Sequence, residues 1–296
     1  MTDDIGFTVG ICAYNEGRNI ERCIRSVFDQ DLGEYDMHKV IVVSSASTDN
    51  TDDTVRSLMN EFDRLRLVPQ EKREGKNSAI NCLMDEKDTD IVVLVNADNV
   101  LASKDTIRKM VEPFADPKVG MVGGHPLVIN EGNSLPDYAS KLIWALHHHI
   151  ALKNPKIGEL IAFRDMGFRL PIHNQSDEDF IRSGIEDAGL HAVYAPEAIT
   201  YIRGPETVAD LIRQRFRVNV GQSYMVNEKN FYNPARDPKV LFDVFSDTMK
   251  DLGFHPINLI LSVMMECACR FTAGVYAKKG KADLNAWEPV SSTKKV

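Results

Sequence analysis

The sequence predicts an α/β fold organised on a parallel sheet, and three observations carry that expectation. Three short β-rich runs, Phe7 to Cys12 (FTVGIC), Lys39 to Val43 (KVIVV) and Ile91 to Val95 (IVVLV), are separated by stretches of helical periodicity. Ile91 to Val95 is continuously apolar, as strands buried on both faces of a parallel sheet tend to be. Each run ends on polar residues, and open α/β sheets bind ligands beyond the carboxyl ends of their strands.

The elements follow in order. After the first run, Ile20, Cys23, Ile24 and Val27 fall at helical spacing, and after the second Val55, Leu58, Met59 and Phe62 repeat the pattern. Alternation of strand and helix implies right-handed βαβ units. Tyr14, Asn15 and Glu16, then Ser44 to Asp49, then Asn96 to Asn99 would therefore meet at one sheet edge. Beyond residue 100 come a strand in GMVGGHPLVI, a helix from Tyr138 to Leu152, the run GELIAFRDMGF, and a helix from Asp177 to Ala188 with Phe180, Ile181 and Ile185 on one side. Gly189 leads into a strand at HAVYA, and a further helix follows Gly204 and Pro205, since proline is tolerated in a first turn. Residues 226 to 296 read as a helical extension with a polar tail.

Bulk properties narrow the function. At 296 residues and 43% hydrophobic, the chain can bury a substantial core. A formal charge of -8 disfavours a nucleic-acid partner held by its phosphates. The five cysteines show no C-x-x-C spacing and sit mostly in apolar segments, which suits a reducing, cytoplasmic setting. The acidic start, Asp3 and Asp4, lacks the order of a signal peptide. Glu266 and Arg270 interrupt the C-terminal apolar run, so no membrane-spanning helix is expected.

Six segments in order, VGICAYNEGRNIERCIRSVFDQ, VIVVSSASTDNTDDTV, EGKNSAINCLM, IVVLVNADN, SDEDFIRSGIEDAGLHAVYAPEA and RQRFRVNVGQ, resemble family 2 glycosyltransferases, nucleotide-sugar-dependent and inverting, of the GT-A fold. The likeness covers roughly residues 5 to 225. It implies a GT-A type nucleotide-binding, mixed but mainly parallel sheet flanked by helices. Residues 1–99 would form the nucleotide-sugar half of that domain and 100–225 the acceptor half, with 226–296 as the C-terminal extension. The implied partners are a UDP- or GDP-linked sugar donor and a glycan or lipid-linked acceptor.

In the family the buried strand ends Asp-x-Asp, and Asn96, Ala97 and Asp98 occupy that place. Asp98 matches the metal-binding residue, and the implied cofactor is Mn2+ or Mg2+, cations that take carboxylate and phosphate oxygens. Asp98 would be the sole protein carboxylate of a site completed by the donor diphosphate. Asn96 and Asn99 equally suit a turn, as asparagine often does. Ser44 stands where the family has a base-reading aspartate, while Ser47 to Asp49 either meet ligand or cap the helix near Thr51. Tyr14 and Glu16 match residues that meet base and ribose; Lys76, with Arg73 as a secondary candidate, matches a basic residue near base or phosphates.

Attack by an acceptor hydroxyl requires a base within hydrogen-bond reach. Asp179 matches the family's catalytic base and Glu178 its acidic neighbour, although acids in a first helical turn also favour the helix dipole. Gln214 and Arg217 resemble the family's Gln-x-x-Arg-Trp element, and arginine can grip a phosphate bidentately. Val218 replaces the tryptophan of processive synthases, so long processive synthesis is not expected. His147, His148 and His149 point about 100 degrees apart on a helix and cannot chelate one ion together; His191 or His173 remain as distant metal ligands of the kind some relatives recruit. The segment Pro256 to Lys279, flanked by Lys278, Lys279 and Lys281 with Lys294 and Lys295 beyond, either lies on a membrane surface or packs on the catalytic domain or on a second copy. Two other functions compete: a nucleotide-sugar-binding protein without catalysis, and a sugar nucleotidyltransferase, for which the glycine-rich phosphate loop is missing after strand one.

Overall fold

The computed structural model describes residues 5–172, 176–229 and 231–278. In chain order the elements are β1 (Gly6–Ala13), α1 (Ile20–Phe28), β2 (Asp36–Ser44), α2 (Thr51–Leu58), β3 (Leu65–Pro69), α3 (Lys76–Glu86), β4 (Ile91–Asn96), β5 (Val100–Leu101), α4 (Thr106–Val111), β6 (Val119–Val128), α5 (Leu135–Lys153), β7 (Leu160–Arg164), α6 (Asp177–Asp187), β8 (His191–Ile202), α7 (Val208–Lys229), α8 (Pro238–Leu252) and α9 (Pro256–Lys278). One sheet runs β3-β2-β1-β4-β7-β6-β8-β5. The pairs among β3, β2, β1 and β4 are parallel, as is β6 with β8, while β7 runs antiparallel to both β4 and β6. The mixed, mainly parallel sheet matches the expectation.

Strand alternation divides the core into two layers. Ile91, Val93 and Val95 face α1, α2 and α4, whereas Val92 and Leu94 face α3 and α6. The helical spacing of Ile20, Cys23, Ile24 and Val27 places all four on the buried face of α1. On the other side, a Cβ on Gly10 would lie 2.1 Å from Leu83, so glycine lets α3 press directly on β1. Strand β3 and helices α3 and α4 were not foreseen. β3 is a five-residue edge strand with only Leu65 buried, and α3 begins after Gly75 at φ 89° without a side-chain cap.

The C-terminal helices are continuous with this body. A boundary at residue 225 falls inside α7. Arg215 of α7 makes a two-pronged ion pair with Glu266 of α9, at 2.8 and 3.0 Å. Arg270 donates to the same carboxylate at 2.9 Å, as their four-residue spacing allows. By length and composition α9 could cross a membrane, which the presence of Glu266 and Arg270 had seemed to exclude. Both charges are paired within the fold, the Glu266 carboxylate being shared by Arg215 and Arg270, and among the described residues only Ser262, Cys269 and Ala273 of α9 are buried. The polar tail, including Lys279, Lys281, Lys294 and Lys295, and His173 lie outside the described residues.

Candidate active site

The carboxyl ends of β1, β2 and β4 meet at one sheet edge, in agreement with the clustering of polar residues in the sequence. Because β7 runs antiparallel to β4, it begins at the edge where its neighbour ends. Among the described residues, the three non-glycine positions with left-handed backbone, Asn15, Ala46 and Glu159, all lie at this edge. Such conformations persist where surrounding structure enforces them, and they gather at functional sites. Asn15 is fixed by accepting the Thr48 N–H at 2.8 Å and donating its own N–H to Ser47 at 3.1 Å.

A cavity of about 620 Å³ opens there. Tyr14, Glu16, Arg73, Lys76, Asn96, Ala97 and Asp98 line one part of it; Glu178, Asp179, Gln214 and Arg217 line another. Residues far apart in sequence thus converge on one space. The Arg73 guanidinium stacks 4.0 Å from the Tyr14 ring centre, giving a flat cationic and aromatic platform. Glu16, nearly buried, accepts from Asn19 at 2.9 Å.

The acids of α6 take separate partners. Lys76 lies 2.7 Å from Asp177 and 3.7 Å from Glu178. Burial lowers the Lys76 ammonium, yet these two carboxylates outweigh it and hold the ammonium above its ordinary value. Within the tightly coupled pair, burial and the Glu178 charge raise Asp177, so the shared negative charge rests on Glu178. Asp179 is also raised by burial, with Lys156 opposing and Glu178 reinforcing. That is the environment a general base requires, since a raised carboxyl holds a proton more strongly.

Opposite these acids, burial lowers the Arg217 guanidinium while Glu159, Asp177, Glu178 and Asp98 draw it back up. Arg217 therefore sits in the field of four carboxyl groups from three parts of the chain. Burial, reinforced by Asp98, pushes Glu159 up to about 7. The donor set of Asp98, Glu159 and the Asn96 amide is oxygen-rich, as a hard divalent cation prefers. No group of three or more His, Cys, Asp or Glu side chains suited to a metal occurs among the described residues, so a cation here would need ligands from substrate.

The family model described as glycosyl transferase family 2 matches residues 8–173. The chain belongs to glycosyltransferase family 2. A relative of this family 2 chain is the poly-beta-1,6-N-acetyl-D-glucosamine synthase of Staphylococcus aureus strain COL, 28% identical over 232 residues that cover 72% of this chain and 53% of the relative. The chain spans about half the length of the curated relatives it matches. Among solved structures, it resembles a mannosyltransferase from Pyrobaculum calidifontis in complex with GDP-Man and Mn2+, with TM-score 0.68, 22% identity, and coverage of 93% and 87% of the two chains. It also resembles glucosyl-3-phosphoglycerate synthase from Mycobacterium tuberculosis in complex with Mn2+, UDP and phosphoglyceric acid, with TM-score 0.54, 16% identity, and coverage of 77% and 80%. The fold is of GT-A type.

The candidate site departs from the sequence expectation in several places. Ser44 is fully buried and donates to Ser47 at 2.9 Å, and Ser45 rather than Ser44 reaches the cavity. Asp49, one residue before the N-cap Asn50, turns to the backbone instead, accepting the N–H groups of Thr51 and Gly17 at 3.0 Å each. The three consecutive histidines take separate partners: the His147 ring lies tilted against Trp144, His148 bonds Tyr194 and His149 bonds Asp251. His191, exposed at the start of β8, does not line the cavity. Asp98 is not the only carboxylate at its end of the site, because Glu159, immediately before β7, lines the same cavity and feels its charge. Glu159 and Lys156 were missed by sequence reading; their one local signal is a charged pair preceding an apolar run, KIGELIAFR.

Proposed function

We propose that this chain is a metal-assisted, inverting glycosyltransferase that moves a sugar from a UDP- or GDP-linked donor to a hydroxyl of a glycan or lipid-linked acceptor. The observation that carries the reading is the convergence of Asp98, Arg217 and Asp179 on one cavity. Asp98 and its neighbouring oxygen ligands would hold Mn2+ or Mg2+, which when bound supplies positive charge to the leaving diphosphate. Tyr14 and Arg73 offer a stacking platform for the base, and Glu16 a carboxylate for the ribose. Arg217 grips phosphate oxygens in a pocket where its charge is poorly screened. Asp179 accepts the acceptor's proton as the hydroxyl oxygen bonds to the anomeric carbon. The bond from that carbon to the diphosphate breaks with its electron pair leaving on oxygen, and attack from the opposite face inverts the centre.

Val218, at the cavity wall where processive synthases carry tryptophan, supports transfer of single sugars or short additions. The division at residues 99 and 225 is kept as a functional proposal: contacts to base and ribose come from the first part, the catalytic base and acceptor contacts come from the second, which also lends Arg217 to the diphosphate, and α8 and α9 form an added helical layer. Residues Ile257, Met264 and Phe271 of α9 are 72%, 63% and 74% exposed. That apolar face supports peripheral contact with the cytoplasmic side of a membrane, and flotation with acidic liposomes tests it.

A thermal-shift panel of nucleotides and nucleotide sugars, with and without Mn2+, tests the donor reading. A ligand at a hundred times its dissociation constant adds about 2.7 kcal/mol, a shift of several degrees. Stabilisation by one nucleoside diphosphate family, enhanced by Mn2+, is expected; no shift with any nucleotide would reject the reading.

A further inference from the structure

We infer that Glu159 supplies the second carboxylate of the cation site, delivered from β7 across the sheet to stand in for the acid that position 96 lacks. The inference rests on the donor-site reading above. β4 and β7 pair with Val95 against Leu160, so Asn96 and Glu159 are the next cross-strand neighbours. Directly opposed residues on antiparallel strands have Cβ atoms roughly 4.5 to 5.5 Å apart. Here the contact is made: Asn96 Nδ2 donates to Glu159 Oε2.

This pairing explains why position 96 carries an amide. Two acids at 96 and 159 would set like charges face to face, which is destabilising between strands. An asparagine at 96 instead donates to Glu159 and leaves its own carbonyl oxygen available as a ligand. Among the described residues no hydrogen bond engages Glu159 Oε1. The acid has moved from the end of β4 to the start of β7, and the site keeps two carboxylates, Asp98 and Glu159.

Two further observations support a ligand there. Glu159 holds φ at +63°, where a side chain-bearing residue costs roughly 1 kcal/mol or more that glycine would not. Such strain at a cavity wall is characteristic of functional positions. Asn99, 1% exposed, lines the same cavity with its amide nitrogen buried and without a hydrogen-bond partner. A buried donor left unpaired calls for a ligand oxygen, on phosphate or on water held by the cation.

The test is Mn2+ affinity of the whole chain, measured by electron paramagnetic resonance with UDP or GDP at saturation, alongside nucleotide affinity in EDTA. Glu159→Gln keeps the side-chain length and an oxygen to accept from Asn96, and removes only the charge. Mn2+ affinity is expected to fall about tenfold or more while nucleotide affinity in EDTA stays within about threefold. Adding Asn96→Asp to Glu159→Gln returns an acid to β4 and should recover most of the lost Mn2+ affinity. Unchanged Mn2+ affinity in Glu159→Gln would overturn the inference, as would equal losses with and without metal or no recovery in the double variant. If the wild-type chain binds nucleotide but no Mn2+, the inference fails and the donor reading stands; if it binds neither, the donor reading itself fails.

Discussion

Replacing Glu266 by glutamine should cost about 3 kcal/mol at pH 7. The Glu266 carboxylate is 18% exposed and accepts from Arg215 and Arg270, with Asn219 adding a bond at 3.2 Å. Burial alone would raise its pKa, but the two arginines overcome it and hold the group down from 4.5 to about 2. At roughly 1.4 kcal/mol per tenfold change in proton affinity, that fall corresponds to about 3 kcal/mol, the size expected when one partner of a largely buried ion pair is removed. The sign follows from linkage. A depressed carboxyl contributes stability in full above its unfolded value of 4.5 and loses it as pH falls toward 2. The deficit of Glu266→Gln against wild type should therefore shrink to about 1.4 kcal/mol at pH 3. Urea unfolding followed by circular dichroism at both pH values measures it. A deficit below about 0.5 kcal/mol at pH 7, or one that does not change with pH, would refute the reasoning.

Two further substitutions probe the cavity. Lys156→Met removes the charge that opposes burial at Asp179, so the acid limb of the kcat/KM profile should move to higher pH; an unmoved limb would separate Asp179 from the titration. Arg217→Met should weaken nucleoside diphosphate binding roughly 10- to 100-fold by calorimetry, as expected for about 1.5 to 3 kcal/mol from a charged hydrogen-bonding group; an unchanged affinity would remove Arg217 from the phosphate site.

The sequence made the parallel half of the fold legible because β1, β2 and β4 are buried central strands whose apolar runs announce themselves. Edge strands do not. β5 has two residues and is defined by pairing with β8, a hundred positions away. Local motifs singled out Asp98, Asp179 and Arg217, and all three line the one cavity; their roles there are part of the proposal. Ser44 misled because strand-end position was read as cavity contact, whereas its hydroxyl turns to Ser47. Glu159 was invisible for a different reason: its meaning depends on the β4–β7 register, which joins positions 63 apart. The apolar run marked α9 in the sequence, but which face docks on α7 depends on Arg215 finding Glu266.

The most direct test of the central claim is donor turnover by Asp179→Asn. With Mn2+ and the nucleotide sugar that stabilises the wild-type chain most, nucleoside diphosphate release in the presence of acceptor should fall about 10²- to 10⁴-fold, the usual contribution of a general base. Donor affinity should stay within about threefold, and melting temperature should be unchanged or higher, because burial penalises the ionised carboxylate at neutral pH. Turnover retained by Asp179→Asn, with donor bound normally, would contradict the assignment of the catalytic base.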